Sequence, residues 1–138
     1  MSFLFEDFKG WKEYCIEHEE ELYEVVLGYE IDQNQRTESE IWTGLEAAYQ
    51  VMKEAVQTGL SEDMISRSGM INNGAKKVHA YPTPVLSREF QLLISRALAA
   101  KEVNSCMGRV VAAPTAGASG ILPGVLVTLQ ELHKLPDK

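Results

Sequence analysis

The chain has 138 residues, of which 45% are hydrophobic and 24% charged, with a net charge of −7. Those values describe one ordinary globular domain with enough apolar residues for a core, and they exclude a disordered or collagen-like chain. Two cysteines, Cys15 and Cys106, are too few for a disulfide framework, and no apolar run is long enough to cross a bilayer.

The start of the chain lacks the pattern of a signal peptide, because Phe3 to Phe8 is interrupted by Glu6 and Asp7 and has no basic lead. A cytoplasmic protein is expected. Charge is uneven: residues 1–63 hold 16 of the 20 acids and 4 of the 13 bases, a balance of −12, and the remainder carries +5. The basic excess of the second part is scattered and too small for nucleic acid, but it suits a small anion.

Apolar residues at helical spacing predict a first helix over residues 3–16, weakened by Gly10, and a second opening at Glu19-Glu20-Glu21-Leu22. Its apolar face is Leu22, Val25, Val26 and Tyr29, and Asp32 to Arg36 breaks the pattern. Thr37 and Glu40 have capping-box spacing for a third helix. The stripe Ile41, Leu45, Ala48, Met52 and Val56 follows, and Gly59 is placed to end the helix in a left-handed cap. Residues 61–86 are expected to be mostly irregular. Within them, Ser68-Gly-Met-Ile-Asn-Asn-Gly-Ala-Lys-Lys77 reads as a turn, with Asn73-Gly74 favouring positive φ. Ser68, Asn72, Asn73, Lys76 and Lys77 could meet a ligand there or simply face water. Ser87 caps a fourth helix to about Lys101, apolar nearly all round, which implies burial in a domain centre or against a partner. A last helix carries Ile121, Leu122, Val125, Leu126, Leu129 and Leu132 to about Leu135. The fold class expected is therefore all-α, with about five main helices and a long irregular middle containing glycine and proline.

Between the last two helices lies a run of small residues, Asn104-Ser-Cys-Met-Gly-Arg-Val-Val-Ala-Ala-Pro-Thr-Ala-Gly-Ala-Ser-Gly-Ile-Leu-Pro-Gly124. A Gly/Ser/Thr loop entering a helix can cradle a carboxylate on free N–H groups, or it can allow tight helix packing. The histidines His18, His79 and His133 share no metal-ligand spacing. Cys15 reads as a small apolar helix residue. Cys106, in the small-residue loop, is a single thiolate where an iron–sulfur cluster needs three or four ligands.

Gly108 to Gly124, preceded by Glu102-Val-Asn104, resembles the iron–sulfur-dependent L-serine dehydratases, specifically their alpha chain. Ser68-Gly-Met to Lys77 is similar to a second Gly-rich segment of that chain, and Glu46 to Gly59 to its N-terminal helix. The resemblance implies deamination of L-serine to pyruvate and ammonia, with one iron of a [4Fe–4S] cluster as Lewis acid on the substrate hydroxyl. It places Thr115, Gly117, Ser119, Gly120, Asn72, Asn73 and Lys76 on the substrate side, and Cys106 as a possible metal ligand. In some members the position of Ser119 is a cysteine ligand. The catalytic base is not assigned. Gly117 is expected to hold positive φ, so that a valine would block it. The family's alpha chain is about twice this length and works with a beta chain. This chain alone is therefore expected to hold no cluster and to be inactive, and to bind its missing half or itself. The alternatives are a related β-eliminase acting on cysteine or threonine, and a non-catalytic helical interaction module.

Overall fold

A computed structural model describes residues 7–136, and among these the chain is all-α, with six helices and a single isolated antiparallel bridge between Ile65 and Asn72. The chain divides into two compact units, Met1–Glu46 and Ala47–Lys138. No helix among the described residues is long and apolar enough to cross a membrane.

The first unit contains α1 (Phe8–His18), α2 (Leu22–Asn34) and the opening of α3 (Glu38–Ser61). Asp7 starts α1, its carboxylate accepting from the Gly10 N–H at 2.8 Å. Residues 3–6, where the sequence predicted this helix to begin, lie outside the described residues. Cys15 in α1 is half-buried, and Trp11 sits against Tyr29 of α2 with ring centroids 5.1 Å apart. Glu21 and Glu24 form a capping box on α2, and Thr37 and Glu40 form the predicted one on α3, with Thr37 N–H donating to the Glu40 carboxylate at 2.8 Å. Glu19 and Gln35 take left-handed φ to end α1 and α2.

The second unit holds the rest of α3 with α4 (Gly74–Ala80), α5 (Arg88–Ser105) and α6 (Ala118–His133). Ser87 caps α5 as predicted, accepting from the Phe90 N–H at 3.2 Å. Helix α5 is central, packing against both α4 and α6. Ala55 and Val56 of α3, Met64, and Ala100 and Val103 of α5 make the buried cluster.

Three expectations change. Helix α4 lies in the stretch read as irregular. Gly59 is not a cap: α3 runs on to Ser61, and a Cβ on Gly59 would stand 2.4 Å from the Ala99 carbonyl oxygen, so the glycine is there for close approach of α3 to α5. Helix α5 also buries polar side chains (Gln91, Ser95, Arg96 and Glu102), while its Phe90 is half exposed. Gln91 donates to the carbonyls of Val78 and Tyr81, which pins the end of α4 and the connector to α5.

Candidate functional site

Residues 64–73 form a closed loop. The Asn73 amide oxygen accepts from the Met64 N–H at 2.7 Å, and the Asn73 N–H donates to the Met64 carbonyl at 3.0 Å. Gly69 and Asn73 both have positive φ, the latter as predicted from Asn73-Gly74. Asn73 is thereby committed to closing the loop. Asn72 and Ser68 are exposed, with the Ser68 hydroxyl 3.2 Å from that of Ser66. Lys77 donates to the Asn72 carbonyl at 2.8 Å. Lys76 pairs with Asp63 at 2.8 Å, and its hydrogen bond and charge hold the Asp63 carboxyl below the usual carboxylate range.

Helix α4 begins at Gly74 with no cap of its own, since the Asn73 side chain points back to Met64. The missing acceptor comes from α5. One oxygen of buried Glu102 accepts from Gly74 N–H at 2.8 Å and from Ala75 N–H at 3.3 Å, and the other oxygen accepts from Ala75 N–H at 3.3 Å. A carboxylate on the positive end of a short helix is favourable in both charge and hydrogen bonding.

The small-residue run enters α6 in two functionally different parts. Thr115 and Gly117 are exposed. The Thr115 hydroxyl accepts from Ala118 N–H at 3.1 Å, and as a hydroxyl it keeps its own proton to donate. Ser119 and Gly120 are buried. The Ser119 hydroxyl donates to the Ala116 carbonyl at 2.9 Å. A Cβ on Gly120 would lie 3.0 Å from the Ala97 carbonyl oxygen and 3.2 Å from Lys101 Cβ, and one on Gly124 would lie 2.6 Å from Ala97 N. For Gly120 the small side chain therefore serves packing of α6 on α5. Gly117 has φ −70° and ψ −45°, ordinary helical values, and a Cβ there would find only the Thr115 hydroxyl, at 3.8 Å. The expectation of positive φ at Gly117 is overturned, and with it the backbone reason for excluding valine.

Both segments thus seat on one stretch of α5: Gly120 and Gly124 against Ala97 and Lys101, Gly74 and Ala75 against Glu102. The sequence had given Glu102 and Lys101 no role. The sequence pattern places the end of this helix at about Lys101, whereas α5 continues to Ser105 and so carries Glu102 within it.

In the last turn of α4, His79 is half-buried, with Nδ1 3.3 Å from the buried Ser95 hydroxyl of α5. Burial first, then the charges of Arg88 and Arg96, push its pKa below the ordinary value, partly offset by Glu131. Ser95 donates to the Leu92 carbonyl at 2.9 Å, so the pair is a packing contact and not an activated nucleophile. A pocket of about 460 Å³ is lined by Val78, Tyr81, Leu86 and Ile94 together with Lys77, Thr83 and Gln91, and its exposed surface is almost wholly apolar, which does not suit a zwitterionic amino acid. In the first unit, α2 and the opening of α3 border an open cleft of about 910 Å³ over Leu22, Val26, Ile41 and Trp42.

The described residues do not by themselves fit an iron–sulfur cluster. No group of three or more His, Cys, Asp or Glu among them is placed to hold a metal ion. Cys106 caps α5 and packs half-buried against the apolar cluster, as a small hydrophobe would.

The profile of the family described as serine dehydratase alpha chain matches residues 17–138. The chain is 35% identical over 122 residues to the L-serine dehydratase, alpha chain, of Peptoniphilus asaccharolyticus, covering 86% of this chain and 42% of that one. It is 32% identical over 131 residues to the probable L-serine dehydratase, alpha chain, of Bacillus subtilis, covering 93% and 43%. It is also 38% identical over 97 residues to an L-serine dehydratase of Streptomyces coelicolor, covering 66% and 21%. The chain therefore spans less than half the length of each of these curated relatives. No solved structure matches it significantly. With a family profile spanning nearly all of its length, the chain belongs to the serine dehydratase alpha chain family.

Proposed function

We propose that this chain is the N-terminal portion of the alpha subunit of an L-serine ammonia-lyase that converts L-serine to pyruvate and ammonia. In that reaction serine loses its α-proton and β-hydroxyl as water, and the resulting enamine tautomerises and takes up water to release ammonia. The observation that carries this function is the family match over residues 17–138 together with relatives named L-serine dehydratase at 32–38% identity. The geometry supports it: the two segments named from the resemblance converge on α5 residues 97–102. Of the candidate substrate residues, Thr115, Gly117 and Asn72 are exposed and open to a ligand. Asn73, Ser119 and Gly120 act from behind, holding the two segments in place, and Lys76 would have to leave Asp63 to meet a carboxylate.

A [4Fe–4S] cluster in the complete enzyme would take its ligands largely from outside this chain, with Cys106 at most one of them. The remainder of the alpha chain and a beta chain are the proposed partners. Helix α6 offers them an apolar face, with Ile121, Leu122, Leu126, Leu129 and Leu132 each 38–57% exposed.

The test is turnover by the assembled enzyme. This chain is combined anaerobically with the rest of the alpha chain and the beta chain, with iron and sulfide supplied, and ammonia is measured together with pyruvate from L-serine and L-cysteine and 2-oxobutyrate from L-threonine. Serine-dependent pyruvate is expected from the assembly and none from residues 1–138 alone. An assembly that ignores L-serine, or that prefers cysteine or threonine, overturns the assignment.

A further inference from the structure

We propose that Glu102 is the positioning residue of this site: its carboxylate sets the 64–77 segment at a fixed distance from the run that enters α6, and substrate affinity depends on that setting. This rests on the serine dehydratase reading given above. Three observations carry it. Glu102 is 4% exposed and meets both leading N–H groups of α4, at 2.8 and 3.3 Å, so it is held by the segment it holds. A Cβ on Gly74 would stand 2.8 Å from the same carboxylate oxygen, so a side chain there can enter only by moving the Glu102 carboxylate. The neighbouring Lys101 places its Cβ against Gly120, so consecutive residues of one rigid helix touch the two candidate segments.

A carboxylate in this position offers two acceptor oxygens and a negative charge to the helix end. Glutamine at 102 keeps the length and one acceptor but loses the charge, and aspartate keeps the charge but falls short by a methylene. The loop carrying Asn72 leads directly into α4, so a shift at Gly74 is transmitted to it through the closed ring of Met64 and Asn73. Residues that orient a substrate without touching it act through geometry, and small displacements there are costly.

Two arms test this. In residues 1–138, Glu102→Gln should move the amide proton signals of Gly74 and Ala75 and raise hydrogen exchange over 64–77, leaving exchange in the α5–α6 pair unchanged. In the assembled enzyme, the same variant should raise KM for L-serine by at least about tenfold, and Gly74→Ala, which displaces the carboxylate without removing it, should do likewise. A purely structural role would lower the fraction of active enzyme, and so apparent kcat, with KM unchanged. Unaltered amide signals would overturn the geometry. Altered signals with KM unchanged in both variants would overturn the positioning role. A wild-type assembly with no serine turnover would overturn the enzymatic reading and this role with it, and the amide arm, which needs no activity, separates that failure from an error in the geometry.

Discussion

Replacing Gly124 with alanine tests whether the small residues of the 108–124 run serve packing. Gly124 is buried where α6 crosses α5, and an added methyl would lie 2.6 Å from Ala97 N and 2.8 Å from both Cα and Cβ of Ala97. Ordinary contact begins near 3.4 Å, so the nearest atom is about 0.8 Å too close. Most of the obstruction is backbone, so no rotamer change relieves it and the helices must part. Overpacking of this kind costs about 1–3 kcal/mol, and backbone obstruction places Gly124→Ala at the upper end. Alanine returns about 1 kcal/mol through its better helix propensity. The net expectation is a loss of about 2 kcal/mol, a fall in melting temperature of roughly 4–8 °C for a domain of this size. Gly117→Ala, with helical φ and 3.8 Å of clearance, is the control and should stay within about 0.5 kcal/mol of the parent. Calorimetry and urea unfolding followed by far-ultraviolet dichroism measure both. If Gly124→Ala melts at or above the parent temperature, α6 is not seated on α5 as described, and the packing account of the run fails.

Arg96 is 7% exposed and donates to the Thr128 hydroxyl at 3.2 Å and to the Glu131 carboxylate, so Arg96→Ala should cost about 2–4 kcal/mol in urea unfolding. Glu131→Gln should cost under about 1 kcal/mol, because its carboxylate is mostly solvated. Since the folded state resists protonating His79, the unfolded chain takes up that proton first as pH falls. Stability should therefore decline as pH drops below about 6.5 towards the depressed folded pKa, and His79→Gln should flatten that part of the stability–pH curve. Lys76→Gln should leave stability within about 1 kcal/mol and let the Asp63 carboxyl return towards its ordinary pKa, followed by NMR titration.

Features that depend on neighbours in sequence were legible. The Thr37–Glu40 box, the Ser87 cap and the left-handed Asn73 each need only residues within one turn. Features that depend on another helix were not. Gly59 looks like a helix end from its spacing, and only Ala99, forty residues on, shows it to be a contact point. Helix α5 looked apolar nearly all round because the sequence does not show the groups that make its buried Gln91, Arg96 and Glu102 compatible with burial: the Tyr81 carbonyl, the Thr128 hydroxyl and the N–H groups of α4, all from other segments, whereas Ser95 donates to the Leu92 carbonyl of its own helix. The stripe on α3 was half right. Met52 and Val56 are buried, whereas Leu45 is 55% exposed, because the helix passes from one unit to the other between them. In the candidate site the residue types pointed to a loop entering a helix. Whether each small residue faces solvent or α5 changes between Gly117 and Ser119, and composition carries no trace of that step.

The dependence of α4 on Glu102 also has a consequence for the order in which the molecule assembles. Seven residues are too few to persist as an isolated helix, and this one lacks a local acceptor for its leading N–H groups. Its capping partner lies 28 positions later in the chain. During synthesis, residues 74–80 therefore emerge well before the group that stabilises them as a helix, and they must wait as unstructured chain until α5 has formed. Helix α4 is then a late product of folding, and the 64–77 segment should be the first part of this unit to open again when the native state fluctuates.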